Sequence, residues 1–191
     1  EEWMSQLAPA LLTIAVFDRE VNCRRAASAA FQEGVGRLGN FPHGIDLVTI
    51  ADYFSVGVRS NSYIHVAATV AKYEVYCQPL MQHLIHIKLK HWERSIRNLA
   101  AQGLASITRH DPAYIAGPHC LGLLVTATLS QDLPTRHGAT LGLAAILPAL
   151  KLANVELSAE DQTKVMGVVQ AIEKARLYRG KGGEIMRGAV C

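Results

Sequence analysis

The stretch His91–Pro112, HWERSIRNLAAQGLASITRHDP, puts Leu99, Ala100, Gly103, Leu104 and Ile107 at the i, i+3, i+4 spacing of a buried helical stripe. Ala101 and Ala105 lie beside that stripe and are small enough to admit another helix closely. The pattern predicts one helix with two packing faces, and such a helix needs two neighbours. The chain supplies them by repetition. Arg97 opens the frame RNLAAQGL, with small residues three and four positions on and an apolar one at the seventh. The frame recurs as RRAASAAF from Arg24, RSNSYIHV from Arg59 and RHGATLGL from Arg136, at spacings of 35, 38 and 39 residues, and a shortened fifth, RGAVC, starts at Arg187.

Four residues before these arginines stand Glu20, Ser55, Glu93 and Asp132. An acid there sits at a helix start, where the dipole favours it, one turn from the arginine it can pair with. The arginine helices alternate with other apolar segments: WMSQLAPALLTIAVF, GIDLVTIADYF, QPLMQHLIHIKLK, AYIAGPHCLGLLVTATL and SAEDQTKVMGVVQAIEKARLY. The last opens on a capping signature, Ser158 with Asp161 three residues on. Turn signals separate the segments at GRLGNFPHG, HDPAYIAGP, SQDLP and YRGKGG, and ALKLANVELSAED reads as a loop. No alternating run is long enough for a strand-built domain. The expectation is therefore an all-α protein, an α-solenoid of HEAT/armadillo-type helical hairpins with about four complete repeats and a truncated fifth. Residues 1–191 are expected to form a single repeat segment. The start at Glu1 and the end at Cys191 inside an apparent helix suggest a piece of a larger chain.

Composition sharpens this picture without changing it. Half the residues are hydrophobic, 18% charged and only 6% aromatic, so the core must be built from Ala, Leu, Ile and Val. That suits close helix packing better than a β-sandwich. A formal charge of +3 does not call for nucleic acid or lipid, whose binders concentrate basic residues in a stripe. The longest membrane-like run, CLGLLVTATLSQ, falls short of the ~20 apolar residues a spanning helix needs. Cys23, Cys77, Cys120 and Cys191 form no CxxC, and each falls in apolar or helical context. The expectation is four buried free thiols in a reducing cytosol.

Three blocks carry a sharper likeness. FDREVNCRRAASAAFQE, FPHGIDLVTIADYFSVGVRSNSY and LYRGKGGEIMRGAVC, in this order and spacing, resemble the central HEAT region of the tubulin-folding cofactor D family. The resemblance implies a cytosolic, cytoskeleton-associated chaperone that captures β-tubulin. It implies assembly and disassembly of the αβ-tubulin heterodimer with the other tubulin-folding cofactors, C and E, and with a small Arf-like GTPase. It implies no enzyme activity of this segment itself, although an assembly containing it could stimulate GTP hydrolysis by tubulin. The alternative is a generic HEAT scaffold or adaptor, karyopherin-like or phosphatase-scaffold-like.

Candidate contacts follow from these blocks. FPHGID and RSN lie at helix ends, where solenoid loops meet partners, although Pro42 and Gly44 equally make an inter-repeat turn with Asp46 at the helix start. Protein contacts are expected at Arg25, His43, Asp46, Tyr53, Arg59, Asn61 and Arg179. Arg24, Arg97 and Arg136 are expected to join adjacent repeats, with Glu20, Glu93 and Asp132 beside them, while Arg25, one position round the helix, faces solvent. His83 and His86 share a helical face, with His91 and Cys77 nearby, but a structural zinc site wants four ligands at tight spacing, so no metal is expected. YRGKGG lacks the GxxxxGK[ST] spacing and follows a helix, so it reads as a turn. No catalytic residue and no cofactor is expected. Circular dichroism should give a predominantly helical spectrum, and a substantial β signal would defeat the repeat reading.

Overall fold

The structure, a computed structural model, describes residues 2–180 and 182–191, with side chains from residue 6 onward. The chain is 75% helical, and the described residues contain no strand. The fold class is all-α, of the armadillo/HEAT type. The helices divide into two compact units, residues 1–84 and 85–191.

In the first unit α1 (Glu2–Phe17) and α2 (Val21–Leu38) pack as a hairpin. The left-handed Gly39, φ +67°, ends α2 by donating its N–H to Val35 O. α3 (Gly44–Ile50) is followed by α4 (Arg59–Asn61), a π-helical turn Ser62–Val66 and α5 (Ala67–Val70), which together make one helical run. α6 (Glu74–His83) completes the unit. The short α3 rests on α2 and α5, and α6 packs against α1. Leu12, Phe17, Phe31, Leu47, Tyr63 and Tyr76 fill the core.

The second unit, entered through the π-helical turn Leu84–Lys88, contains α7 (Arg94–Thr108), α8 (Pro112–Ala116), a π-helical turn Pro118–Gly122, α9 (Leu123–Ala127), α10 (Leu133–Leu152), α11 (Ala159–Lys174) and α12 (Gly183–Val190). Its centre is α10, which packs against α7, α8, α9 and α12, while α11 lies on α9. α7, for which the sequence predicts two neighbours, packs chiefly on α10, and it is α10 that meets several helices. Ala100 of α7 is fully buried. On α10, a Cβ added to Gly138 would sit 1.6 Å from the carbonyl oxygen of Leu89, and one on Gly142 would meet the Leu89 side chain at 2.8 Å. Only glycine allows that approach.

Arg24, Arg59, Arg97 and Arg136 lie in the first turn of α2, α4, α7 and α10, whereas Arg187 lies in the last turn of α12. In all four complete frames the residues three, four and seven positions on are buried, down to Ser62, Tyr63 and Val66 in the least regular one. Tyr63 is not small, and its hydroxyl donates to Phe17 O.

Four expectations are corrected. The predicted helix over GIDLVTIADYF stops at Ile50, because Oδ1 of Asp52 accepts from the amides of Phe54 and Ser55 and turns the chain. The predicted loop ALKLANVELSAED shrinks to residues 153–158, since Ala149–Leu152 finish α10 and the Ser158 cap, accepting from Asp161 N–H, starts α11. The helix read over His91–Pro112 is α7 alone, ended before Asp111 caps α8. Cys77 and Cys120 are buried, but Cys23 and Cys191 are exposed, and the four form no disulfide. Cys23 lies in the first turn of α2, ahead of the buried Ala27 and Phe31, and Cys191 follows α12.

Ala100→Leu should overpack the α7–α10 junction and cost ~1–3 kcal/mol in a urea melt. Leu104→Ala should cost ~2–5 kcal/mol through a cavity. Gly138→Ala should destabilise more than Ala100→Leu, because its added methyl meets main chain instead of a movable side chain. A parental melt for either small-to-large variant would refute the close packing of α10.

Candidate functional site

Three of the arginines are buried: Arg24 is 2% exposed, Arg97 3% and Arg136 7%. Each bends back under the turn that precedes its own helix. Nη1 of Arg24 donates to Asp18 O and Arg19 O, both at 3.0 Å. Nη1 of Arg97 donates to His91 O at 2.7 Å and Trp92 O at 2.8 Å, and Nη1 of Arg136 to Gln131 O at 2.7 Å. The acceptors lie five or six residues back each time, so the guanidinium caps turn carbonyls that would otherwise be buried without a donor. Glu20, Glu93 and Asp132 are the N-cap residues of these helices. Asp132 accepts from Thr135 N–H and Oγ1, and those bonds hold its carboxyl below the ordinary carboxylate range. Glu20 pairs with Arg19 at 3.3 Å.

Two arginines also reach forward to the next repeat. Nε and Nη2 of Arg24 donate to Val56 O (2.7 Å) and Gly57 O (2.8 Å), just ahead of α4. Nε of Arg97 donates to Nδ1 of His137 on α10 at 3.0 Å. An accepting Nδ1 leaves the imidazole neutral with its proton on Nε2. Burial, reinforced by the charges of Arg97 and Arg94, lowers the His137 pKa to about 4. Burial and the charge of Arg59 lower that of Arg24.

The sequence-predicted contact residues divide by position. Arg25 and Tyr53 are brought together: the guanidinium carbon stands 4.1 Å over the ring, so Arg25 is half-buried instead of turned to solvent. Arg59 donates to Arg19 O at 3.0 Å, and Asn61 to Ser55 O at 2.8 Å, so both act on the main chain. His43 and Asp46 are exposed at the start of α3. His43, φ +52°, lies against Tyr73 with the rings tilted and their centroids 4.6 Å apart, and Gly44 leaves room for Val35, whose Cγ2 would stand 2.7 Å from an added Cβ. The turn reading of FPHG therefore holds. Arg179 is exposed after α11, within the other unit.

His83 is half-buried against Phe17, ring centroids 6.0 Å apart, and no group of three or more His, Cys, Asp or Glu among the described residues is placed to hold a metal. In YRGKGG, Gly180 and Gly182 adopt positive φ, +72° and +90°, while Lys181 lies outside the described residues. No helix among the described residues is long and apolar enough to cross a membrane. Sequence reasoning missed Phe54, Val58 and His137. Phe54 and Val58 are 79% and 63% exposed, and the Asp52 turn that brings them out was the available signal.

The family model for tubulin-specific chaperone D-like ARM repeats matches residues 1–45. Tubulin-specific chaperone D of Dictyostelium discoideum is 35% identical over 185 residues, 95% of this chain and 12% of that protein. The chain is a relative of tubulin-specific chaperone D. Tubulin-folding cofactor D of Schizosaccharomyces pombe is 33% identical over 112 residues, 59% of this chain and 10% of its own length. The chain thus spans about an eighth or less of these two relatives. No solved structure matches it.

The His137 geometry fixes a pH dependence. An unfolded histidine titrates near pH 6.5 and the folded one at about 4, so stability present above pH 6.5 is withdrawn as pH falls toward 4. That window is worth on the order of 3 kcal/mol. His137→Gln keeps an acceptor for Arg97, so urea melts between pH 7 and 4 should show a shallower loss than the parent. Equal slopes would show that His137 is not held neutral.

Proposed function

We propose that this chain is a helical-repeat segment of a tubulin-folding chaperone. It captures β-tubulin and supports assembly and disassembly of the αβ-tubulin heterodimer, together with cofactors C and E and a small Arf-like GTPase. The observation that carries this reading is the 35% identity to tubulin-specific chaperone D, spread over 95% of the chain. A likeness confined to the small-residue frames would fit any HEAT protein; one that runs through turns and loops as well does not reduce to repeat packing. The proposed site of action is the cytoplasm and its microtubule cytoskeleton.

The mechanism is surface capture. Helix ends and loops hold the partner over an area, with no group of this chain entering a bond-making step. Any stimulation of GTP hydrolysis by tubulin belongs to the larger assembly. His43, Asp46, Arg25 and Tyr53 offer polar and aromatic groups on the first unit, and Arg179 offers a cation on the second. Asn61 contributes by holding the loop ahead of α4 at Ser55 O, and Arg59 by holding the α1–α2 turn at Arg19 O.

The immobilised chain should retain β-tubulin and should not retain a Ran-type GTPase or a phosphatase catalytic subunit, the ligands of the karyopherin-like and phosphatase-scaffold-like alternatives. Retention of either of those in place of tubulin would overturn the proposal. Arg59→Glu should lower thermal stability, since the bond to Arg19 O is lost, and Arg179→Glu should leave the melt unchanged.

A further inference from the structure

Between α3 and α4, residues 52–58 form a loop that is held along its whole main chain while its largest side chains stand in water. Oδ1 of Asp52 accepts from Phe54 N–H (3.1 Å) and Ser55 N–H (2.6 Å), Val56 N–H donates to Asp52 O, and Gly57 N–H to Phe54 O. The carbonyls of Ser55, Val56 and Gly57 accept from Asn61 and from the buried Arg24. Arg25 leans over Tyr53 with Nε 3.4 Å from Tyr53 O. From this frame Tyr53, Phe54 and Val58 project outward, the two rings edge to face at 5.5 Å.

Three physical points select a partner. A loop already fixed loses little entropy on docking, so apolar side chains displayed from it give their burial to the complex. Exposed aromatic rings beside an arginine are the composition of interface hot spots. The charge leans positive: burial and the nearby Arg59 and Arg25 lower the Arg24 pKa, with Asp18 opposing them only in part, the Asp52 carboxylate is turned to its own amides, and among the described residues no carboxylate pairs with Arg25. The complementary surface carries a carboxylate for Arg25 and an aliphatic or aromatic side chain for Phe54 and Val58.

We infer that residues 52–58, with Arg25, are the anchor for an acidic, apolar-bearing strip of a protein partner. The inference rests on the proposed function in taking that partner to be β-tubulin. A nucleic acid also stacks on aromatic rings, but of the three arginines only Arg25 lies beside them, since Arg24 is sealed under the turn and Arg59 is turned to Arg19 O, and one cation gives little hold on a phosphate backbone.

The test measures β-tubulin binding to the chain and to Phe54→Ser, Val58→Ser and Arg25→Glu, each with a melt and a far-ultraviolet spectrum. Met166→Ser, an exposed apolar position in the other unit, is the control. Phe54→Ser and Arg25→Glu should each weaken binding about tenfold or more, Val58→Ser less, and Met166→Ser not at all, with parental helicity throughout. Parental binding by both Phe54→Ser and Arg25→Glu would overturn the anchor and leave the chaperone reading standing. Failure of the unmodified chain to bind β-tubulin would overturn both. Binding of a single-stranded RNA oligonucleotide that depends on Phe54 would overturn the protein-docking assignment.

Discussion

Much of this structure depends on one awkward act, placing a guanidinium under a hairpin turn. Moving a charge out of water is costly unless its donors are all met, and an arginine has five of them in a planar fork. At Arg24 the fork is met by four main-chain carbonyls from two repeats. The same bonds answer a second problem, since turn carbonyls at a packed helix junction have no helical partner. One side chain thus closes its own hairpin and, at Arg24 and Arg97, ties it to the next. The residues three and four positions on are kept small, or hydrogen-bonded as with Tyr63, because they share the junction that the arginine roots.

The departures from this arrangement are informative. Arg59 is only partly buried, its frame carries Ser55 where the others carry an acid, and its own helix is interrupted by a π-helical turn. The helix before it is short and lies on α2 and α5, with α6 against α1. In this irregular repeat the chain between the paired helices emerges as the 52–58 loop, and Arg24 of the preceding repeat holds it. Arg24 thus caps its own turn, as Arg97 and Arg136 do, and in addition supports this irregular loop. Variants of Arg24 would therefore disturb both the junction and the loop, whereas Phe54 and Val58 touch only the surface.

The second unit shows how composition becomes geometry. With few aromatic residues, helices gain contact by approaching closely, and α10 does so to the point where Gly138 admits the Leu89 carbonyl. That approach also buries His137 against Arg97, two groups that coexist only while the imidazole is neutral. Close packing thus brings a titration-sensitive point into the centre of the unit.

The sequence by itself determined the repeat. Its arginine frames, small positions and turn signals recur at fixed offsets, and such local regularities specify helix starts, ends and buried faces without reference to distant residues. The family likeness was equally legible, because it is carried by contiguous blocks. Tertiary structure decided what each arginine does. Arg25 and Arg24 are adjacent on one helix, yet one stacks on Tyr53 and the other is sealed under a turn, a difference set by residues about thirty positions away. It also decided that Phe54 is displayed while Phe31 and Phe41 are buried, since a single carboxylate, Asp52, ends a helix that hydrophobic periodicity alone would continue. Periodicity records which face of a helix is apolar; only the packed chain fixes where a helix stops and which carbonyls lie within reach of a given cation.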